Sequence, residues 1–236
     1  MELLERFQRA SIVKEMYPEF KDFCRDAMEF LGYSLTWMQE DICDFMQYGG
    51  LKIGVMAQRG EAKSTIACIK GVWEITQNPT ARVLLISGSG DKAEENATLI
   101  QGLINHWPLL SYLKPDRNAG DRSSISAFDV HWALKGVNKS PTVRCMGITA
   151  SLQGYRADFL IPDDVETNKN GLTATERAKL FQLTKEFSSI VSDSNGQILY
   201  LGTPQTKDSI YNTLPQRGFT LRIWPGRFPD DDTIKA

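Results

Sequence analysis

Four short stretches of this 236-residue chain carry residue types and spacings suited to phosphate chemistry. In VMAQRGEAKST, residues 55–65, Lys63 and Ser64 follow a bend and open a helical pattern. A lysine there reaches the β- and γ-phosphates of a nucleotide, the next hydroxyl meets Mg²⁺, and the backbone N–H groups wrap the anion. The candidate triphosphate cradle is Gln58, Arg59, Gly60, Glu61, Ala62, Lys63, Ser64 and Thr65. Against the pattern GxxxxGK[ST], alanine stands at 57 and 62, and only Gly60 remains. Gly60 is the place for a positive φ, and the alanines fit where φ stays negative. By itself the stretch reads more readily as an exposed helix start.

The second stretch, ADFLIPDDVE (157–166), is an apolar run that delivers Asp163, Asp164 and Glu166 at its end. A hard cation needs oxygen ligands, and an attacking water needs a neighbouring carboxylate. Asp163 is the candidate metal ligand beside Ser64; Asp164 and Glu166 are alternatives for the water. A solvated acidic turn is the plain alternative, and the Lys-Ser loop about a hundred residues upstream argues against it. Two further stretches fit. Gln39 in LTWMQEDI offers both a donor and an acceptor to the N6/N7 edge of adenine. QILYLGTPQT ends a strand-like run in Gly202-Thr203-Pro204-Gln205, a polar turn suited to sensing the γ-phosphate through Thr203.

These residues need a scaffold that brings separate segments to one edge. Residues 1–48 read as three helices by their three- and four-residue apolar steps, closed by Gly49-Gly50. Strand-like runs then alternate with helical patterns: 51–56, 82–87, 157–162 and 197–202 against 63–77, 91–106 and 173–190. Such continuous apolar runs suit strands covered on both faces, and hence an α/β fold with a mainly parallel sheet flanked by helices. Residues 121–148 alternate polar and apolar around turn residues and predict a hairpin insertion. The expected organisation is a lid-like helical segment over 1–48, a P-loop core over 49–228, and a linker or cut end over 229–236.

The composition sets the outer limits. A net charge of −2 excludes a protein that coats nucleic acid by bulk charge, and leaves room for a local basic channel. No apolar run approaches a membrane span, and the N-terminus lacks a signal-peptide layout. Cys24, Cys43, Cys68 and Cys145 lack metal spacing and read as buried, reduced thiols.

In their order, MAQRGEAKST, SGSGDKAEE, SLQGYRADFLIPDDVE and YLGTPQTKDSIYNTL resemble the large terminase subunit of tailed bacteriophages, in its short-tailed branch, over about residues 30–228. The resemblance implies an ASCE/RecA-like P-loop ATPase using ATP and Mg²⁺ to thread double-stranded DNA, irrespective of sequence, into a procapsid. It puts the loop lysine at Lys63, the metal hydroxyl at Ser64 and the loop arginine at Arg59. The metal aspartate falls on Asp163, the catalytic acid on Asp164 with Glu166 as rival, the coupling turn on Gly202 to Pro204 and the adenine glutamine on Gln39. The slot of the family's trans-acting arginine holds Gln153, with Arg156 as the replacement candidate.

The implied partners are the portal protein, the small terminase subunit and a homo-oligomeric ring, a pentamer by expectation. The implied location is the host cytoplasm, on the procapsid and outside the mature virion. The family's RNase H-type nuclease domain has no counterpart here, so DNA cutting is not expected. Lys135, Lys139 and Arg144 are the candidate DNA contacts, against the alternative of a solvated face. The rival readings are a helicase-type ATPase, for which the chain lacks a second lobe, and a nucleotide-binding module that has lost hydrolysis.

Overall fold

The computed structural model describes residues 1–58, 60–191, 195–204 and 207–225. Three helices come first: α1 (Leu3–Met16), α2 (Phe20–Phe30) and α3 (Trp37–Tyr48). In α2 the buried residues Phe20, Phe23, Cys24, Ala27 and Met28 fall at helical steps, which makes one apolar stripe. α3 starts where Thr36 accepts from the Gln39 amide and the Gln39 side chain accepts from Thr36 N, a reciprocal capping box.

The remaining elements are β1 (Lys52–Ala57), α4 (Lys63–Gln77), β2 (Val83–Ser87), α5 (Gly90–His106), β3 (Ser123–Ser124), β4 (Ala127–Phe128), α6 (Trp132–Lys135), β5 (Val143–Gly147), β6 (Phe159–Asp163), α7 (Ala174–Lys185), α8 (Phe187–Ile190), β7 (Gln197–Gly202) and β8 (Thr220–Trp224). The strands form one sheet in the order β3-β4-β5-β2-β6-β7-β1-β8. From β5 to β8 every pairing is parallel. Only the short β3–β4 hairpin and its contact with β5 are antiparallel.

The four anticipated strands and the helices between them are all present. The 121–148 segment holds the expected hairpin as β3 and β4, and it also supplies β5, a strand of the parallel sheet itself. β8 adds a strand at the edge beyond β1 that the apolar pattern did not mark.

Alternate residues of each strand feed two cores. Val55, Leu85, Ile161 and Leu199 join the face covered by α1–α5, while Met56, Leu84, Leu160 and Ile198 join the face covered by α7, α8 and residues 210–219. Two buried faces explain why the strands read as unbroken apolar runs. Eleven of the fifteen residues of α4 are buried, so this helix lies inside the first core and not on its surface. Its Trp73 indole donates to Tyr17 O at 2.9 Å, fixing α4 to the N-terminal helices. Among the described residues no helix is long and apolar enough to cross a membrane, and all four cysteines are free and buried.

Candidate functional site

Parallel pairing sends the carboxyl ends of β1, β7, β6 and β2 to one edge. Met56 pairs with Gly202, Asp163 with Leu201, and Ser87 with Asp163. β7 therefore separates the strand before the candidate phosphate loop from the acid strand, and the candidate site has to close across it.

The loop after β1 makes its turn with Gly60 at φ 95° and enters α4 through Ala62 at φ 54°, ψ 24°. Gly60 is in the left-handed region anticipated for it. Ala62 departs from the expectation of a negative φ, because the chain must reverse into the helix at that residue and no glycine is there to do so. A left-handed alanine costs roughly 1–2 kcal/mol. Lys63, the first residue of α4, is buried, and its ammonium donates to Ala57 O at 2.6 Å and Gln58 O at 3.0 Å. Thr203, on the turn after β7, donates to the same Ala57 carbonyl at 3.2 Å. Glu61 accepts from Gln58 Nε2 at 2.6 Å. Arg59 and Gln205 lie outside the described residues.

Across β7, Ser64 Oγ donates to Asp163 Oδ1 at 2.9 Å, and Asn96 Nδ2 donates to Asp163 Oδ2 at 2.8 Å. Asp163 is buried, and loss of hydration pushes its carboxyl up; the bonds from Asn96 and Ser64 pull the other way. Its anion is therefore poised for a positive partner. Among the described residues no three His, Cys, Asp or Glu side chains gather. The oxygen pair of Ser64 and Asp163 fits Mg²⁺, which usually takes one or two protein oxygens and completes its shell with phosphate and water. Asn96 was not foreseen. Its signal is present in the sequence: it sits on the α5 stripe with Ala93, Ala97, Ile100, Leu103 and Ile104, where an amide needs a buried partner.

The two rival acids separate in space. Asp164 is exposed, has φ 44°, and lines a cleft of about 480 Å³ with Gly88, Ser89, Lys92 and Thr167. Its backbone N–H is held by Leu201 O at 3.1 Å. Glu166 borders the same cleft, but it is 3% exposed and its Oε2 accepts from Ser209 Oγ at 2.8 Å and Ile210 N at 2.7 Å.

A second cavity, of about 380 Å³, lies between the N-terminal helices and the loop. It is lined by Met28, Tyr33, Thr36, Gln39, Gly60, Ala62 and Thr65. Gln39 thus joins the site, with its Oε1 occupied by Thr36 N at 3.0 Å and its Nε2 directed to Glu61 O at 3.5 Å.

Two groups are not brought together with these residues. Arg156 lies three residues before β6, at the end of the sheet opposite Asp163, and donates to Tyr155 O and Ser189 O, both at 3.2 Å. The basic cluster does not form one face. Lys135 is buried and pairs with Asp129 at 2.7 Å, and Arg144 stacks over the Tyr155 ring at 4.8 Å.

No family model matches the chain. It is 39% identical over 197 residues to the large terminase subunit of enterobacteria phage T3, an alignment covering 82% of this chain and 33% of that protein. The chain thus spans about a third of that relative's length. The crystal structure of the large terminase of bacteriophage HK97 superposes with a TM-score of 0.60 at 11% identity, covering 89% of this chain and 45% of that one. That likeness is one of fold.

Proposed function

Because this chain belongs to the large terminase subunits of tailed bacteriophages, we propose that it is an ATP-hydrolysing motor module that drives double-stranded DNA into a procapsid. The observation that carries this reading is the 2.9 Å bond from Ser64 to Asp163, which joins the phosphate loop and the acid strand across an intervening strand.

The triphosphate lies along residues 58–65, its charge met by the N–H groups that open α4. Lys63 leaves the Ala57 and Gln58 carbonyls for the β/γ oxygens. Ser64 and Asp163 would hold Mg²⁺, which offsets phosphate charge when bound. Asp164, exposed at the cleft mouth, orients the attacking water and takes its proton. The new P–O bond forms in line as the bond to the β–γ bridging oxygen breaks and ADP leaves. The base occupies the cavity bounded by Met28, Tyr33 and Gln39, so the three N-terminal helices act as a lid on the nucleotide.

In this reading the subunits form a homo-oligomeric ring on the portal protein, in the host cytoplasm and outside the mature virion, supplied with DNA by the small terminase subunit. Contact with DNA is sequence-independent. An arginine from a neighbouring copy completes the site, and Arg156 is the candidate; Arg59 is the loop arginine that contacts phosphate or couples hydrolysis to movement. Measured phosphate release tests the reading: Lys63→Ala should lower ATP turnover about 10²–10³-fold with an unchanged circular dichroism spectrum. Turnover equal to that of the parent chain would sink it.

A further inference from the structure

The loop that follows β6, residues 164–172, is gripped from both sides by residues that the hydrolysis scheme does not use. On one side a Cβ at Gly88 would come 2.4 Å from Thr167 Cγ2 and 2.9 Å from Asp164 O, so the turn after β2 lies directly on the loop. On the other side Glu166 reaches away from the phosphate site. Its Oε2 takes both Ser209 Oγ and Ile210 N, which caps the 3₁₀ turn Ile210–Thr213. The Tyr211 hydroxyl accepts from Glu166 N at 3.5 Å.

Tyr211 continues the chain of contacts to the coupling turn. A Cβ at Gly202 would sit 2.1 Å from Tyr211 Cζ, so the ring is seated on the backbone of the β7 tip. A separate tie runs through α7, where Arg177 donates to Gly171 O at 3.1 Å and Leu172 O at 2.9 Å and pairs with Asp208 at 3.4 Å. The acid loop and the segment 207–217 are thus joined twice, by a buried carboxylate and by a guanidinium.

Among the described residues Glu166 Oε1 has no hydrogen-bond partner, and it is buried. A buried carboxylate in that position depends on the two donors that Ser209 and Ile210 supply. Pulling the segment away would strip both at once, so small separations are resisted and the two pieces move as one.

We infer that Glu166 is a positioning residue that locks the acid loop to the segment 207–217. A nucleotide-driven change at Asp163 and Asp164 is delivered to that segment, and displacement of the segment returns as misplacement of Asp164. The nucleotide half of this inference rests on the proposed ATPase reading; the lock itself does not.

Hydrogen–deuterium exchange on the parent chain, Glu166→Gln and Ser209→Ala tests it, with and without Mg²⁺ and a slowly hydrolysed ATP analogue. Without nucleotide, both variants should speed exchange at 164–168 and 209–212 together, by about tenfold, and leave 62–66 unaltered. Acceleration confined to 209–212 would overturn the lock, and Ser209→Ala gives the answer even if Glu166→Gln does not fold. With nucleotide, the parent chain should gain protection in both segments, and Glu166→Gln only at 164–168; a Glu166→Gln chain that still protects 209–212 would overturn delivery of the signal. In turnover assays Asp164→Asn should lower kcat about 10²–10³-fold, and Glu166→Gln by no more than about tenfold. A loss in Glu166→Gln as deep as that in Asp164→Asn would make it the reacting acid and end the inference. Absence of nucleotide protection at 62–66 would count against the ATPase reading and leave the ligand-free comparison to judge the lock.

Discussion

Ala62 strains the bend that leads into α4. Its left-handed φ of 54° carries a methyl that a glycine would lack. Ala62→Gly should therefore stabilise the chain by about 0.5–1 kcal/mol, the relief of strain less the added freedom of the unfolded glycine, read as a shift in the denaturation midpoint. A loss of stability would mean that the turn is relaxed as it stands. Asp163 gives the opposite trade. Its carboxyl is raised by burial, so the ligand-free fold binds that proton more tightly than the unfolded chain does, and the group's contribution to stability falls as pH rises through the carboxylate range. Asp163→Asn should raise the melting temperature at neutral pH, with a gain that shrinks as pH drops through that range, while abolishing metal-dependent nucleotide binding. A gain that grows on acidification would refute the assignment. The sequence distinguished Gly60 as the left-handed position but not Ala62, because the demand at 62 comes from the entry angle of α4. Nor did spacing separate Asp164 from Glu166, since two residues on a loop after a strand point wherever the loop's partners allow.

At the scale of elements, the strands that carry the candidate site residues are the legible ones. Their runs are apolar on both faces because helices cover both sides of the sheet. The sequence of β5 blends into the hairpin region because its burial alternates, with Arg144 and Met146 only half covered, which is the texture of an edge strand. β8 was missed for a similar reason: Thr220, Arg222 and Ile223 are exposed along its length. Lys70 interrupts the apolar surface of α4 and could not be foreseen as buried; its ammonium pairs with Glu74 and lies 4.3 Å from the centre of the Trp73 ring. The meeting of β7 with the following segment is tight enough to test. Gly202→Ala has to displace a fully buried tyrosine ring, and a loss of about 1–3 kcal/mol is expected in denaturant titration. An unchanged midpoint would show that the ring has room to move.

For the whole molecule, the N-terminal helices and the sheet are not separate cores. Val13, Phe20, Phe23 and Ile42 pack in one cluster with Val55, Leu85 and Ile161. The two regions should melt together, with far- and near-ultraviolet circular dichroism giving coincident transitions; an early helical transition would show that the N-terminal helices fold apart from the core. That shared cluster has a consequence for how nucleotide state can be read. α4 begins at the phosphate loop and runs through an apolar sleeve to an indole whose N–H is fastened to a carbonyl outside the sheet. A rod enclosed in this way can slide or twist only by dragging its far tether, so recoil at Lys63 would arrive at Trp73 about fifteen ångströms away. On the proposed ATPase reading, nucleotide bound at Lys63 should shift the emission of Trp73, and an emission indifferent to nucleotide would show that α4 carries no load.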